Sequence, residues 1–286
     1  MYCLFAIRTR PFFVDILTSF VTSAKFTRHE FEEYVAPLLE AETEAATTDP
    51  ATKALEVAHA LAFRHGLGQS LFAPEHNHLN VNDVQSFAAS AFAKNNIAVL
   101  GTGIDQETLS RLIENAFKDA VPGSSSSTPA SKYFGGETRV ESSSGPQTVF
   151  VGYGTTGAPS AEIAALAAYL SPTPSVKWSK GISPLSSLPE GTSAQIVYLP
   201  YSDATLFGFL IQSSSAAATK EASKSAVTAM KAAAKSIKAE GLQSAVAKAK
   251  FSAANAMESR DGLVNALGSR VRLTHLSPHL VCTQFP

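Results

Sequence analysis

The run Val121-Pro-Gly-Ser-Ser-Ser-Ser-Thr-Pro-Ala130 limits this chain more than any other feature. Proline supplies no backbone donor, and serine competes for the backbone's own partners, so the run sustains neither helix nor strand and reads as a flexible linker. The residues before it carry mostly helical patterning; those after it open with strand candidates. Hydrophobic residues make up 45% of the 286, enough for a sizeable core on either side of the linker.

Upstream, Phe13, Ile16, Leu17, Phe20, Val21 and Ala24 recur at helical spacing. A second helix turns Phe31, Val35, Leu38 and Leu39 inward and its acids mostly outward, and Pro37 inside that pattern predicts a kink or a tie to a packing neighbour. Asp49-Pro50 is a helix start, a capping carboxylate followed by proline at the first helical position. The helix it opens carries Leu55, Ala58, Leu61 and Ala62. Asn80 with Asp83 starts another, with Val84, Phe87, Ala88 and Phe92 on its apolar face. The run Ile97–Gly103 reads as a short buried strand, and Asp105 caps a helix with Leu109, Leu112, Ile113, Ala116 and Phe117 inward.

Downstream, strands are expected over Glu137–Ser142, Thr148–Tyr153, Ala194–Leu199 and Thr205–Gln212, with a helix over Ser160–Leu170 and a Pro/Ser-rich loop over Ser171–Gly191. Two alanine-rich helices follow. On the first, Lys220, Lys224, Lys231, Lys235 and Lys238 gather on one face, with Ala226, Met230, Ala233 and Ile237 roughly opposite. On the second, Leu242, Val246, Ala249, Ala253 and Met257 form a stripe. Periodicity stops after Arg270.

Residues able to do chemistry are few and scattered. Cys3 and Cys282 stand near opposite ends, so no zinc knuckle, iron–sulfur set or haem motif is present. His59 and His65 fall on different faces of a helix, His76 and His78 lack a third ligand nearby, and His29-Glu30 lacks the second histidine of a zinc helix. Gly101-Thr-Gly103 and Gly152-Tyr-Gly154 lack the third glycine of a phosphate loop and read as turns at strand ends. No GxSxG elbow occurs. Glu40, Glu42 and Glu44 read as an exposed helix end, and the lysine face as a solvated face able to attract an acidic partner or an anionic lipid. A net charge of -1 argues against nucleic acid as a partner. Only 16% of residues are charged, below the roughly 25% usual for soluble chains, so part of the surface is expected to be covered by other chains. Arg8 and Arg10 precede the first acid, Asp15, but the stretch is aromatic and runs into a helix pattern, unlike a targeting presequence.

The segments Phe12–Glu44 and Leu79–Gly103 resemble the pitrilysin/insulinase-type family, and Lys132-Tyr-Phe-Gly-Gly-Glu-Thr-Arg139 opens the second domain in the manner of its core protein 2 branch. Pro174-Ser-Val-Lys-Trp178 and Tyr201-Ser-Asp-Ala-Thr-Leu-Phe-Gly208 are similar to its core protein 2 branch rather than to its peptidases. The resemblance covers about residues 12–271. It implies an α+β fold of two related domains, each a mixed sheet flanked by helices and both incomplete. The implied division is 1–120 for the C-terminal part of the first domain, 121–131 for the linker, 132–271 for a truncated second domain and 272–286 for an aberrant tail. It also implies unpaired sheet edges. By function it implies a non-catalytic structural subunit of mitochondrial ubiquinol–cytochrome c reductase (complex III), on the matrix side of the inner membrane, beside core protein 1 and other complex III subunits. No cofactor, metal or catalytic residue is carried over: peptidase members use HxxEH with a distal glutamate, and the chain has no such motif to accompany Glu40 to Glu44. The alternative is a zinc metallopeptidase or a processing peptidase subunit. The latter has a glycine-rich loop, against which Trp178–Ala194 offers only Gly181 and Gly191.

Overall fold

A computed structural model describes residues 10–73, 79–101, 103–118, 129–141, 145–172, 183, 185 and 188–273. In chain order the elements are α1 (Arg10–Thr22), α2 (Arg28–Glu30), a π-helical turn (Phe31–Val35), α3 (Ala36–Thr48), α4 (Pro50–Phe63), α5 (Val81–Ala91) and α6 (Gln106–Ala116). Then come β1 (Gln147–Thr156), α7 (Ala161–Leu170), β2 (Thr192–Pro200), β3 (Ala204–Ser213), α8 (Ala216–Lys235), α9 (Ala239–Glu258) and α10 (Arg260–Leu273). They gather into two compact units, one of Met1–Glu40, Pro74–Thr128 and Met257–Pro286, the other of Ala41–Ala73 and Pro129–Ala256.

The second unit is built on an antiparallel sheet of order β1-β3-β2. β3 is central and covered on both faces, which is why its sequence is apolar in a continuous run instead of alternating. Phe207, Phe209 and Ile211 point to one face, where they meet Ala167 and Leu170 of α7 and Ala222, Ala226 and Ala233 of α8. Ala204 and Leu206 point to the other, against Ala58, Ala62 and Phe63 of α4. The small residues of α8 let its backbone lie close to the sheet, so three alanines face three large β3 side chains. At the β1–β3 ladder Gly152 stands opposite Gly208. A Cβ at Gly152 would lie 2.3 Å from the Phe207 carbonyl oxygen, and one at Gly208 2.6 Å from that of Val151. The ring of Phe150 fills the space above both glycines, 2.7 Å from either would-be Cβ. These contacts correct the reading of Gly152 and Gly154 as turn residues: both lie inside β1, and a Cβ at Gly154 would strike the Tyr133 ring.

The turn from β2 to β3 is closed by the Tyr201 amide donating to the Ala204 carbonyl at 2.8 Å. Asp203 there ties in two more segments. Its carboxylate accepts from the Ser131 amide (2.7 Å) and hydroxyl (3.2 Å), and its carbonyl accepts from the Gly157 amide (2.7 Å).

Helix starts follow the sequence signals. Asp49 accepts from the amides of Ala51 and Thr52, Asn80 and Asp83 form a reciprocal capping box, Asp105 accepts from the Thr108 amide, and Ser160 caps α7. The irregularity expected at Pro37 is a π turn immediately before it, which frees the carbonyls that a proline cannot pair. Two expected strands are absent. Ile97–Leu100 is irregular, with Val99 exposed, because no strand among the described residues pairs with it. Glu137–Glu141 is also irregular, pinned beside α4 instead of on the sheet: the Lys53 ammonium donates to the Glu141 carbonyl at 3.3 Å. Upstream of it, the Phe134 amide donates to the Ala62 carbonyl at 2.9 Å, and the Arg64 guanidinium sits 4.4 Å from the Phe134 ring centroid. α8 ends at Lys235, since Ser236 is extended, so Lys238 leaves the helix that was expected to carry it. The helical pattern continues to Leu273. The stretches around His76 and His78, most of the linker 121–131, Pro174–Trp178, Cys3 and Cys282, and the tail beyond Leu273 lie outside the described residues.

In the first unit α1 packs against α6, with Ile16 and Leu17 half-buried and Phe117 at the end of α6 buried. Few other side chains are enclosed. Among the described residues of that unit only Thr18, Ala88, Ala93 and Phe117 are buried.

Candidate interaction surface

Among the described residues, those with chemical potential are kept apart or already engaged. His59, on α4, has Nδ1 2.7 Å from the Leu55 carbonyl and Nε2 2.6 Å from the Tyr201 hydroxyl. A carbonyl only accepts, so Nδ1 carries the proton and Nε2 accepts from Tyr201, leaving no lone pair for a metal. His65 is exposed in the turn after α4, and His29 is exposed on α2. Glu40, Glu42 and Glu44 are each exposed on α3. The Thr27 hydroxyl bonds the Glu30 carboxylate and holds it below the usual carboxylate range. Burial raises the phenols of Tyr153, Tyr198 and Tyr201 and lowers the Lys248 ammonium, whose Nζ is 3.3 Å from the Ser171 carbonyl. No group of three or more His, Cys, Asp or Glu among the described residues could hold a metal ion.

What the molecule presents instead is surface. In the first unit Phe12, Phe20, Tyr34, Leu38 and Phe87 are 61% to 71% exposed, and Val35, Leu79, Phe92 and Val99 are exposed as well. Phe20, Val35, Leu38 and Phe87 are positions that helical periodicity assigns to inward faces. Their outward placement leaves large apolar side chains facing solvent. In the second unit a groove of about 640 Å³ runs between β1 and α8, lined by Gln147, Val149, Ala216, Lys220, Lys224 and Val227 among others. The five lysines of the predicted face are all exposed.

No family model matches the chain. Among curated proteins it is 41% identical over 265 residues to cytochrome b-c1 complex subunit 2 of Cryptococcus neoformans, covering 90% of this chain and 61% of that one. It is 36% identical to the same subunit of Yarrowia lipolytica, over 90% of this chain and 62% of the other, and 38% identical to that of Neurospora crassa, over 90% and 58%. The chain is similar to cytochrome b-c1 complex subunit 2 over nine tenths of its own length. It spans about three fifths of the length of the curated relatives it matches. A solved structure of complex III2 from Candida albicans, bound to Inz-5, contains a chain superposing with a TM-score of 0.75, at 17% identity and over 93% of this chain and 66% of the other. That match shows the α+β fold, helices around a small antiparallel sheet.

The signal for the apolar surface was present in the sequence only as a low charged fraction. Which apolar residues would stand outward could not be read there, because helical periodicity fixes a face and not what lies against it.

Proposed function

We propose that this chain acts as a non-catalytic structural subunit of mitochondrial complex III, supporting assembly and stability of the complex while haem and iron–sulfur chemistry proceeds on other chains. The observation that carries the reading is the first unit's outward apolar set, Phe12, Phe20, Tyr34, Leu38 and Phe87, over an interior of only a few buried side chains. At roughly 25 cal/mol per Å², covering such rings by a neighbour stabilises an assembly far more than it stabilises the free chain. Homology to subunit 2 of cytochrome b-c1 complexes supports complex III as the assembly. In this reading the neighbours are core protein 1 and other complex III subunits, and the site is the matrix face of the inner membrane. No helix among the described residues is long and apolar enough to cross a bilayer, so neighbouring subunits hold the chain there. The division at 1–120, 121–131 and 132–271 belongs to the same proposal, as the trace of a two-domain parent fold.

The test is incorporation of the tagged chain in mitochondria, followed on native gels. Comigration with complex III supports the proposal; recovery only as a free monomer overturns it. Phe12→Ser with Phe87→Ser is expected to change the stability of the isolated chain by less than about 0.5 kcal/mol, as exposed positions do, while reducing comigration. Stoichiometric zinc together with peptide cleavage would replace this reading by the peptidase one.

A further inference from the structure

We infer that residues 131–141 form a releasable strap over the end of α4, held shut at a strained turn through Arg64 and able to open as a unit while the sheet stays folded. Such a device lies wholly within the second unit and is independent of the role in complex III.

The strap has no regular structure, and all its residues are exposed except Ser131 and Gly135, which are half-buried. Its attachments are discrete. Ser131 donates to the Asp203 carboxylate from its amide (2.7 Å) and its hydroxyl (3.2 Å). The Phe134 amide donates to the Ala62 carbonyl at 2.9 Å, and the Lys53 ammonium to the Glu141 carbonyl at 3.3 Å. The Tyr133 ring lies over Gly154 of β1 beside Phe63: a Cβ on Gly154 would be 2.6 Å from Tyr133 Cδ2 and 3.2 Å from Phe63 Cε1. Gly135 and Gly136, at φ of +72° and +151°, follow Phe134 and give the strap a hinge that a residue with a Cβ rarely permits. Exposed backbone with few buried contacts opens at a far lower free energy than a packed sheet does.

Arg64 sets the hold. It follows the last residue of α4 at φ 58° and ψ −68°, and the His65 amide donates across it to the Phe63 carbonyl at 2.7 Å. This is a γ-turn with a positive central φ, rare and strained for a residue with a Cβ. Such strain persists only where the surroundings impose it. The strap supplies that restraint: the Arg64 guanidinium sits 4.4 Å from the Phe134 ring centroid, while the Phe134 amide binds Ala62, two residues upstream. Seating the strap holds Arg64 in the strained turn, and lifting it lets Arg64 relax. Opening also takes Tyr133 off Gly154 and uncovers one side of the Phe63 ring, which is 1% exposed in the closed form. No bond of the β1-β3-β2 ladder is broken by it.

The experiment uses the full chain, with amide exchange followed by mass spectrometry at the strap and at β3. The Phe134 amide is expected to exchange more slowly than in an unstructured peptide of the same sequence, yet at least about tenfold faster than Phe207 and Phe209. Low urea speeds β3 exchange and leaves the strap unchanged, because strap opening exposes little surface. Phe134→Leu and Arg64→Ala each quicken strap exchange about twofold to fivefold by losing the cation–ring contact, and the double variant is no quicker than the faster single. Arg64→Gly loses the same contact but adopts the positive φ without a Cβ, so its strap exchanges about fivefold more slowly than that of R64A. Exchange at β3 and circular dichroism stay those of the parent chain in every variant, which separates strap opening from loss of the fold. Strap exchange that tracks β3, additive effects of the two substitutions, or an R64G strap that opens as readily as that of R64A would overturn the proposal.

Discussion

Replacing Gly208 by alanine places one methyl group where the fold has no room for it. The Cβ would lie 2.6 Å from the Val151 carbonyl oxygen, 2.7 Å from the Gly152 Cα and 2.7 Å from the Phe150 Cζ. The Phe150 ring can swing aside, but the other two atoms belong to the backbone of the paired strand. Restoring an ordinary contact needs β1 and β3 to part by roughly 0.7 Å, which stretches flanking N–H···O bonds from about 2.9 Å past the 3.5 Å limit. Two such bonds at about 1 kcal/mol net each, with lost packing around Phe150, give a cost of about 3 kcal/mol. The gain of about 0.4–1 kcal/mol from a stiffer unfolded chain does not offset it. The assay is urea unfolding by far-ultraviolet circular dichroism, with amide exchange at Phe207 and Phe209 reporting the sheet itself. Gly268→Ala is the control: it lies in α10 with nothing within 4 Å of its would-be Cβ, and is expected to stabilise that helix by about 0.5–1 kcal/mol. G208A within about 0.5 kcal/mol of the parent chain would refute the close approach of the two strands.

Two further substitutions probe single polar groups. Asp49→Ala removes the cap of α4 and is expected to cost about 1 kcal/mol at neutral pH in chemical denaturation. The Thr52 hydroxyl and amide hold the Asp49 carboxyl below its ordinary range, so its contribution is complete above the unfolded value of about 3.9 and disappears as pH falls through the lower folded value; a parent-to-variant difference that persists undiminished at the acid end would contradict this. Thr205 is 1% exposed and its hydroxyl has no hydrogen-bond partner among the described residues, so Thr205→Val is expected to raise stability by about 1 kcal/mol, and a loss of that size would reveal a partner.

Local chemistry in this chain was legible, and long-range pairing was not. Asp49-Pro50, Asn80 with Asp83, and Asp105 each announced a helix because a cap needs only the next few amides. β1 and β3 were legible within a few residues because their apolar runs are long. Ile97–Leu100 carries the same composition and is not a strand, since a strand exists only against a partner and the described residues supply none. That α4 covers the Ala204–Leu206 face follows from no pattern within residues 50–63. The lysine face was legible as periodicity, but the packing of α8 against β1 was not, because β1 is remote in sequence from α8.

The tight turn through Asp203 also governs timing. β2 and β3 can meet by closing a loop of a few residues, whereas β1 must return across the whole of α7 and the loop that follows it to reach β3 at Gly152–Gly208. Loop-closure entropy grows with that separation, so the local hairpin assembles first and β1 zips on late. Pulse-labelled refolding should accordingly protect Ile196 and Tyr198 on the hairpin before Val149 and Val151. During that interval a newly made chain holds Phe207, Phe209 and Ile211 on a bare two-stranded ribbon, and a passing chaperone or a waiting partner has its opportunity then.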